Sequence, residues 1–251
     1  MTAPRGFKDH FSQVAAAYAS HRPSYPAALV DFLAALAPAR RLTWDAGCGS
    51  GQLSLLLAGS FERVIATDAS HEQIARATAH PKVEYRCAPA EASGLPDGVA
   101  DLATAAQAAH WFDLGAYFAE VRRVTRPGGI VALIGYGVVT ADAAVNAVIG
   151  PFYRDTLARY WPPERRHVDD GYRALPFPFV ELAPPAFEIR LDWRLADLVG
   201  YVGTWSAVWA LEQAVGQGPF EAFCRELARA WGTLTAARTV RWPLMLRVGR
   251  V

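Results

Sequence analysis

The sequence predicts an α/β protein in which helices cover both faces of a mainly parallel sheet. Short apolar runs typical of buried strands alternate with segments of helical periodicity through residues 41–137. One run, 41–44, leads through a glycine-rich loop into a helix-forming segment, 52–58. Another run, 63–68, ends in a carboxylate and is followed by a capping box that opens a helix. Together these observations predict a sheet with a ligand site at its carboxyl edge.

Composition limits the class of protein. The chain has 251 residues with a net charge of +1, which argues against a broad nucleic-acid surface. Its three cysteines lack metal-ligand spacing, and we expect neither a disulfide framework nor a metal site. No stretch approaches eighteen uninterrupted apolar residues, so we expect no membrane partner and a cytoplasmic location.

Two helices are predicted before the sheet. Apolar side chains recur at helical spacing in residues 11–18 and again, after Pro26, in residues 29–36. Prolines stiffen the polar and aromatic segment between them, 18–26. This segment is either a corner between helices with surface aromatics or part of a ligand site.

The loop 45–51, with the sequence Asp-Ala-Gly-Cys-Gly-Ser-Gly, is nearly bare of side chains. Its glycines allow backbone amides to approach a bound molecule closely, and the next helix presents unpaired N–H groups to that molecule. A turn that merely requires glycine is the alternative. The dinucleotide fingerprint requires glycine where Gln52 stands, so the spacing disfavours a nicotinamide cofactor.

This loop resembles the first motif of class I S-adenosylmethionine-dependent methyltransferases. In that family the loop surrounds the methionine part of the cofactor, and the acidic residue at its start, here Asp45, helps to hold the cofactor. The resemblance therefore implies an enzyme that uses S-adenosylmethionine and releases S-adenosylhomocysteine. Two further segments, 22–26 and 107–111, resemble the branch that contains trans-aconitate methyltransferases, also called methyltransferase type 11. In that branch the first of these segments folds over the cofactor pocket.

The second and third strands, 63–68 and 82–87, each lead to a candidate binding residue. Asp68 follows the first loop glycine by about twenty residues, a spacing at which a carboxylate can accept both ribose hydroxyls. An acid that merely flanks a helix is the alternative. Ala90 and Glu91 match the place where family members contact the adenine, although a solvated loop glutamate is an equally ordinary interpretation.

The fourth strand, 101–106, runs directly into the segment 107–112. Open α/β sheets bind ligands beyond the carboxyl ends of their strands, so this segment should border the transferred methyl group. His110 is a candidate general base or a donor that orients the acceptor, and a structural hydrogen-bonding role is equally compatible. Asp113 is placed to cap a helix over 114–124.

The remaining elements complete the sheet. A turn at 126–129 precedes a fifth strand, 130–134. Period-two alternation predicts two late strands at 187–193 and 239–248, with Pro243 at an unpaired position or bulge. Helices are predicted between them at 195–211 and 219–231, with Pro219 in a first turn.

The full prediction is an α/β fold with a seven-stranded Rossmann-like sheet, helices on both faces and an antiparallel hairpin of the last strands, as the family resemblance implies. A lid, part helical and part irregular, is predicted where aromatic residues and prolines accumulate. We expect a single methyltransferase domain, 1–251, that comprises an N-terminal helical cap (1–40), a cofactor-binding core (41–137), a lid insertion (138–184) and C-terminal strands and helices (185–251).

The candidate site residues form two groups. Those expected to hold the cofactor are Tyr18, Arg22, Asp45, Gly47, Cys48, Gly49, Gly51, Asp68, Ala69, Ala90, Glu91 and Gln107. Those expected at the acceptor are Arg22, Tyr25, Trp111, Tyr136 and Trp205, together with Tyr18 and the candidate catalytic residue His110. For Trp205, packing between helices is an equally compatible role.

The acceptor decides what further chemistry the protein must supply. A carboxylate, with a pKa of about 4, is already ionised and needs only an orienting cation such as arginine. A phenol, with a pKa of about 10, would have to lose a proton, for which His110 is the candidate base. The family branch implies methylation of a small molecule such as an organic acid. The alternatives are a phenolic, amine or macromolecular acceptor, and a cofactor-binding regulatory or scaffold protein without turnover.

Overall fold

The computed structural model describes residues 23–251, which form a central sheet flanked by helices. Its strands are β1 (Leu42–Ala46), β2 (Arg63–Asp68), β3 (Val83–Cys87), β4 (Ala100–Ala106), β5 (Thr125–Tyr136), β6 (Val180–Leu182), β7 (Glu188–Trp193) and β8 (Arg238–Arg250). Its helices are α1 (Ala27–Leu36), α2 (Gln52–Ser60), α3 (His71–Ala75), α4 (Leu114–Val124), α5 (Ala143–Pro151), α6 (Arg165–Asp169), α7 (Leu195–Gly203), α8 (Ser206–Val215) and α9 (Gly218–Trp231). Shorter helical turns span Ala109–Trp111, Phe152–Thr156 and Ala158–Tyr160.

The strand order creates a crevice at the carboxyl edge of the sheet. Strands β1 to β5 are parallel and lie in the order β3-β2-β1-β4-β5. The order reverses between β1 and β4, so the connections that leave these two strands diverge. Ligands of open α/β sheets bind at such a switch point.

Alternating side chains of the central strands fill a core on each face of the sheet. Ile130 and Ala132 of β5 pack with residues of α1 and α2, whereas Val131 and Leu133 pack with α4. Successive residues of a strand point to opposite faces, so a strand buried on both sides is apolar throughout. The helices on both faces confirm the predicted fold class.

The C-terminal strands extend the sheet antiparallel to the rest. β8 pairs with β5 through Leu244–Arg250 and with β7 through Arg238–Pro243. Pro243 is the last residue of β8 that pairs with β7, opposite Glu188, and the pairing with β5 begins at Leu244. The predicted unpaired position or bulge at Pro243 is therefore wrong, and the proline instead lies where β8 changes partners. Among the described residues the sheet has eight strands, because the short β6 adds to β8 through Val180–Leu182. With three residues, β6 is too short to show a period-two pattern.

Most predicted elements are confirmed, including α4 with its cap. Asp113 Oδ1 accepts hydrogen bonds from the backbone N–H groups of Gly115 and Ala116 at 3.1 and 3.2 Å. The segment 138–184, which we predict to be a lid, is largely helical and irregular as expected, but it also contributes the short strand β6 to the sheet. The predicted first helix and residues 18–22 of the segment that follows it, including Tyr18 and Arg22, lie outside the described residues.

Two predictions about local structure differ from the structure. The single helix predicted over 195–211 is two helices, α7 and α8, because Thr204 Oγ1 donates to the Tyr201 carbonyl at 2.6 Å and Trp205 takes an extended backbone. The predicted turn at 126–129 is an irregularity within β5. Its residues lie between two strand pairs, Ala100 with Thr125 and Leu102 with Ile130.

No helix in the described part of the chain is long and apolar enough to cross a membrane.

Candidate active site

The loop between β1 and α2 depends on glycine at three positions. Gly47, Gly49 and Gly51 have φ angles of +65°, +57° and +93°, which other residues rarely adopt. A Cβ on Gly47 would lie 2.5 Å from Ala108 Cβ, and one on Gly51 would overlap the Tyr85 hydroxyl. A Cβ on Gly49 would have its nearest neighbour 3.8 Å away. Close packing therefore requires Gly47 and Gly51, whereas Gly49 leaves open space beside the loop.

Asp68, the last residue of β2, holds this loop in place. Its Oδ2 accepts a hydrogen bond from the Gly49 backbone N–H at 2.8 Å, and its Oδ1 accepts one from the Ser70 backbone N–H at 2.8 Å. Burial raises the pKa of Asp68, and the two hydrogen bonds oppose that rise. Each carboxylate oxygen can accept more than one hydrogen bond, so Asp68 retains capacity to bind ligand hydroxyls.

Asp45, near the end of β1, connects three elements beneath the loop. Its carboxylate accepts hydrogen bonds from Ser54 Oγ of α2 at 2.6 Å and from Thr104 Oγ1 of β4 at 2.8 Å. Asp45 is 1% exposed, and burial raises its pKa to about 6 despite these two hydrogen bonds. This carboxylate therefore has a structural role, and it also borders the cavity described next.

A cavity of about 760 Å³ lies at the carboxyl ends of β1, β2, β4 and β5. The structure brings most predicted site residues together around it, as the strand order requires. The predicted residues in its lining are Tyr25, Asp45, Gly47, Cys48, Gly49, Asp68, Ala69, Ala90, Glu91, Gln107, His110, Trp111 and Tyr136.

Two predicted residues lie away from the cavity lining. Gly51 packs against Tyr85 at the start of α2. Trp205 lies in an aromatic cluster, 5.6 Å from Tyr153, 5.7 Å from Trp161 and 5.8 Å from Tyr201 between ring centroids. These contacts correspond to the packing role that the sequence left open for Trp205.

The lining also contains residues that are not among the individually predicted candidates, although Ala108 and Phe112 belong to the predicted segment 107–112 and Pro23 to the segment 22–26. These are Pro23, Gln52, Leu53, Ser70, Gln73, Pro89, Ala106, Ala108, Phe112 and Glu164. Most of them are neighbours of predicted residues at the same strand ends, so the position of the strand ends is a signal for them. Glu164 is the exception, because it comes from the lid just before α6 and no local pattern indicates its position.

Gln107 begins the wall of the cavity after β4. It has a left-handed backbone, with a φ of +53°, which is strained in a residue other than glycine. Its backbone N–H donates to the Ile134 carbonyl at 2.8 Å, and its side-chain Nε2 donates to the Tyr136 carbonyl at 2.8 Å. The amide of Gln107 thus joins the ends of β4 and β5 and fixes the direction of the segment 107–112.

Glu91 supports the other end of the segment 107–112. Its Oε1 accepts a hydrogen bond from the Asp113 backbone N–H at 2.8 Å. The cavity wall formed by residues 107–112 is therefore anchored at both ends, by Gln107 at its start and by Glu91 at its end.

The charge of the described lining is negative. It contains four carboxylates, from Asp45, Asp68, Glu91 and Glu164, and neither lysine nor arginine among the residues described. S-adenosylmethionine carries a sulfonium and an ammonium group against one carboxylate, so a net positive ligand of this kind suits the wall electrostatically. Among the described residues there is also no group of three side chains placed to hold a metal ion.

Known methyltransferases are similar to this chain in the region that forms most of the cavity. A family of proteins described as "Methyltransferase domain" matches residues 44–133, which include the end of β1, all of β2 to β4 and most of the cavity wall. A Dictyostelium discoideum protein named as a methyltransferase is 32% identical over 234 residues, which are 92% of this chain and 89% of the relative.

Two other relatives extend the comparison. A solved structure described as a type II methyltransferase from Anaeromyxobacter dehalogenans is 50% identical, with a TM-score of 0.87 over 91% of this chain and 97% of that chain. An uncharacterised methyltransferase from Mycobacterium tuberculosis is 36% identical over 125 residues, which are 49% of this chain and 51% of the relative. The relative from Anaeromyxobacter therefore shares the fold over nearly the whole chain.

Proposed function

The chain belongs to the class I S-adenosylmethionine-dependent methyltransferases, and we infer that its acceptor is a small molecule, first of all the carboxylate of a small organic acid. The observation that carries this inference is a single cavity of about 760 Å³ that joins the glycine loop to an aromatic wall. Ligand cavities of about 300–1,000 Å³ suit small molecules. This volume favours a cofactor with a small acceptor over a polymer.

The glycine loop, Asp68 and the strand ends hold the cofactor in this proposal. S-adenosylmethionine supplies a methyl group on a positively charged sulfur, which becomes a neutral thioether when an acceptor electron pair bonds to the methyl carbon. Asp68 accepts hydrogen bonds from the ribose hydroxyls, and Gly49 leaves the space that a ligand beside the loop requires. Ala90 and Glu91 border the adenine, and Gln107 lies toward the methionine end.

The acceptor occupies the aromatic end of the cavity. Tyr25 and Tyr136 pack there with ring centroids 6.2 Å apart, and Trp111 packs on His110 at 4.9 Å. These side chains exclude water and hold the acceptor in line with the methyl group, which is the main task when the donor is already activated. Arg22 remains our prediction for the cation that orients a carboxylate, and it lies outside the described residues.

The segment 138–184 serves as the lid over this end. It contributes Glu164 to the cavity lining, and its Tyr172 contacts His110. The lid thus sets which acceptors fit, while the core 41–137 holds the cofactor. A negatively charged Glu164 beside the acceptor makes amines and phenols the competing acceptor classes.

Incubation of the purified protein with methyl-labelled donor and a panel of carboxylic acids, phenols and amines tests the proposal. We expect label in one or a few small carboxylic acids, recovered as methyl esters. The matched control is Asp68→Ala, which should lower labelling through weaker cofactor binding. Binding of S-adenosylhomocysteine, measured separately by calorimetry, tests the cofactor site independently of any acceptor.

The other outcomes contradict specific parts of the proposal. Label confined to a phenol or amine would overturn the carboxylate assignment, and label confined to added RNA or protein would overturn the small-molecule assignment. Tight binding of S-adenosylhomocysteine without turnover on any acceptor would favour a binding or scaffold role.

A further inference from the structure

His110 has a buried partner on the lid. Its Nδ1 lies 2.9 Å from the hydroxyl of Tyr172, with the two ring centroids 6.0 Å apart. The two residues are 62 positions apart in the sequence. His110 lines the cavity, whereas Tyr172 is fully buried behind it. Tyr172 therefore contacts His110 without itself lining the cavity.

Tyr172 is held in a conformation that bulky residues rarely adopt. Its φ is +62°, and the preceding Gly171 has a φ of +69°. The Tyr172 N–H donates to the His167 carbonyl at 2.7 Å, and the Gly171 N–H donates to the Val168 carbonyl at 3.1 Å. These two bonds form a Schellman motif that ends α6. A strained residue at this point indicates that its side chain is needed where it is.

The surroundings of Tyr172 fit its ring closely. A Cβ on Gly135 of β5 would lie 3.0 Å from the Tyr172 ring, so the glycine leaves room for the aromatic side chain. Arg247 of β8 donates to the carbonyls of Tyr172 and Leu175 at 3.2 and 2.6 Å. The ring and the backbone of Tyr172 are thus fixed to two strands of the core.

The contact determines which nitrogen of His110 carries the proton. Among the described residues, Nδ1 of His110 is the only hydrogen-bond partner of the Tyr172 hydroxyl. If Nδ1–H donated to this oxygen, the buried hydroxyl proton would have no acceptor, which is unfavourable. If the hydroxyl donates to Nδ1, both groups are satisfied, and the ring proton lies on Nε2. Burial also raises the pKa of Tyr172, which keeps the phenol protonated as a donor.

We propose that Tyr172 is a positioning residue that fixes neutral His110 as the Nε2–H tautomer, so that His110 acts as a hydrogen-bond donor at the acceptor end. This inference rests on the methyl transfer proposed above and adds a residue and a role to it. An imidazole with a proton on Nε2 cannot accept one there. It can orient an oxygen that is already ionised, as in a carboxylate, which requires no base.

The tautomer can be observed directly, without cofactor or acceptor, by nuclear magnetic resonance. In protein labelled with ¹⁵N-histidine, two-bond ¹⁵N–¹H correlations distinguish the protonated ring nitrogen from the bare one. The chain has six histidines, and the signals missing in His110→Gln identify His110. We expect a bare Nδ1 and a protonated Nε2 in the wild type, and a shift toward the other tautomer in Tyr172→Phe.

Tyr153→Phe is the matched control. Tyr153 is another buried lid tyrosine, and its hydroxyl bonds to Asp169 and Arg165 at 2.5 and 2.8 Å. This variant should leave the His110 signals unchanged. A protonated Nδ1 in the wild type, or His110 signals that do not respond to Tyr172→Phe, would overturn the proposal.

Activity supplies a second readout once an acceptor is known. Tyr172→Phe should lower kcat about tenfold and leave the Kd of S-adenosylhomocysteine unchanged. Because glutamine also carries an N–H donor, His110→Gln should retain activity within about tenfold of wild type, whereas His110→Ala should lose about 100-fold. Equal losses in both variants would overturn the donor role. Failure to find any acceptor would refute the proposed function and leave the resonance result standing.

Discussion

Replacement of Asp68 tests the centre of the proposed cofactor site. Its two carboxylate oxygens accept hydrogen bonds from Gly49 and Ser70, each at 2.8 Å, so the same side chain shapes the glycine loop and faces the cavity. Asp68→Ala removes the loop contacts together with any bonds to ribose hydroxyls. Asp68→Asn keeps one acceptor oxygen and approximates the original shape.

The expected losses follow from the number and kind of these bonds. A hydrogen bond to a charged group contributes about 1.5–3 kcal/mol. Two ribose bonds at the lower limit give about 3 kcal/mol, so Asp68→Ala should weaken S-adenosylhomocysteine binding about 100-fold. Loss of the two loop bonds should lower the free energy of unfolding by about 2–3 kcal/mol, because removal of a desolvated charge offsets part of their contribution. Asp68→Asn should fall between wild type and Asp68→Ala in both measurements.

Calorimetric titration with S-adenosylhomocysteine measures the affinity, and urea denaturation measures the stability. Asp142→Ala is the control, because Asp142 also accepts a backbone hydrogen bond, from Val145 at 3.1 Å at the start of α5, and pairs with the exposed Arg238, but does not line the cavity. It should lower stability by about 1 kcal/mol and leave the affinity unchanged. A folded Asp68→Ala variant with wild-type affinity would refute the ribose assignment.

Three other predictions follow from buried groups. Burial raises the pKa of Asp45 from 3.8 to about 6, so the folded state holds this proton more tightly than the unfolded state, and the resulting stability is lost as the pH rises through about 6. Between pH 4 and pH 7.5, Asp45→Asn should therefore gain about 2 kcal/mol relative to wild type in urea denaturation of the cofactor-free protein, and parallel pH curves would contradict this. Gly51→Ala should lower the melting temperature, because the added Cβ would overlap the Tyr85 hydroxyl. Combining it with Tyr85→Phe should recover part of the loss, and purely additive effects of the two substitutions would argue against this contact. Trp205→Ala should lower the free energy of unfolding by about 3–5 kcal/mol, whereas a folded Trp205→Phe variant with an altered KM for the acceptor would show that Trp205 contacts substrate.

The grouping of residues at the proposed cofactor end was predictable from sequence because these residues are local. The loop glycines lie within one strand-to-helix connection, and Asp68 ends the next strand. Parallel strands place their carboxyl ends at one edge, so residues that follow consecutive strands meet without any knowledge of long-range contacts. The same reasoning correctly brought Gln107, His110 and Trp111 to the cavity.

The lid contacts were not predictable in the same way. Glu164 and Tyr172 lie in a segment of short helices and turns, where neither period two nor period 3.6 indicates which side chains point inward. Tyr172 reaches His110 only because a left-handed backbone at two successive residues reverses the chain after α6. Trp205 is the opposite case. It is a candidate acceptor residue by sequence, but in the structure it lies between α7 and α8 and packs in an aromatic cluster.

Different contacts hold the proposed cofactor end and the proposed acceptor end, so substitutions can change acceptor specificity separately. The proposed cofactor end is fixed by hydrogen bonds that join the loop 45–51 to β2, α2 and β4, and none of these bonds involves the segment 138–184. The proposed acceptor end combines the wall after β4 with residues of the segment 138–184. There Arg247 binds the carbonyls of Tyr172 and Leu175, and Gly135 leaves room for the Tyr172 ring. Substitutions in the lid that keep these anchors can therefore change the shape and charge of the acceptor end while the donor loop stays in place. If the proposed function holds, methyltransferases that share residues 44–133 with this chain can differ in acceptor through residues of the segment 138–184.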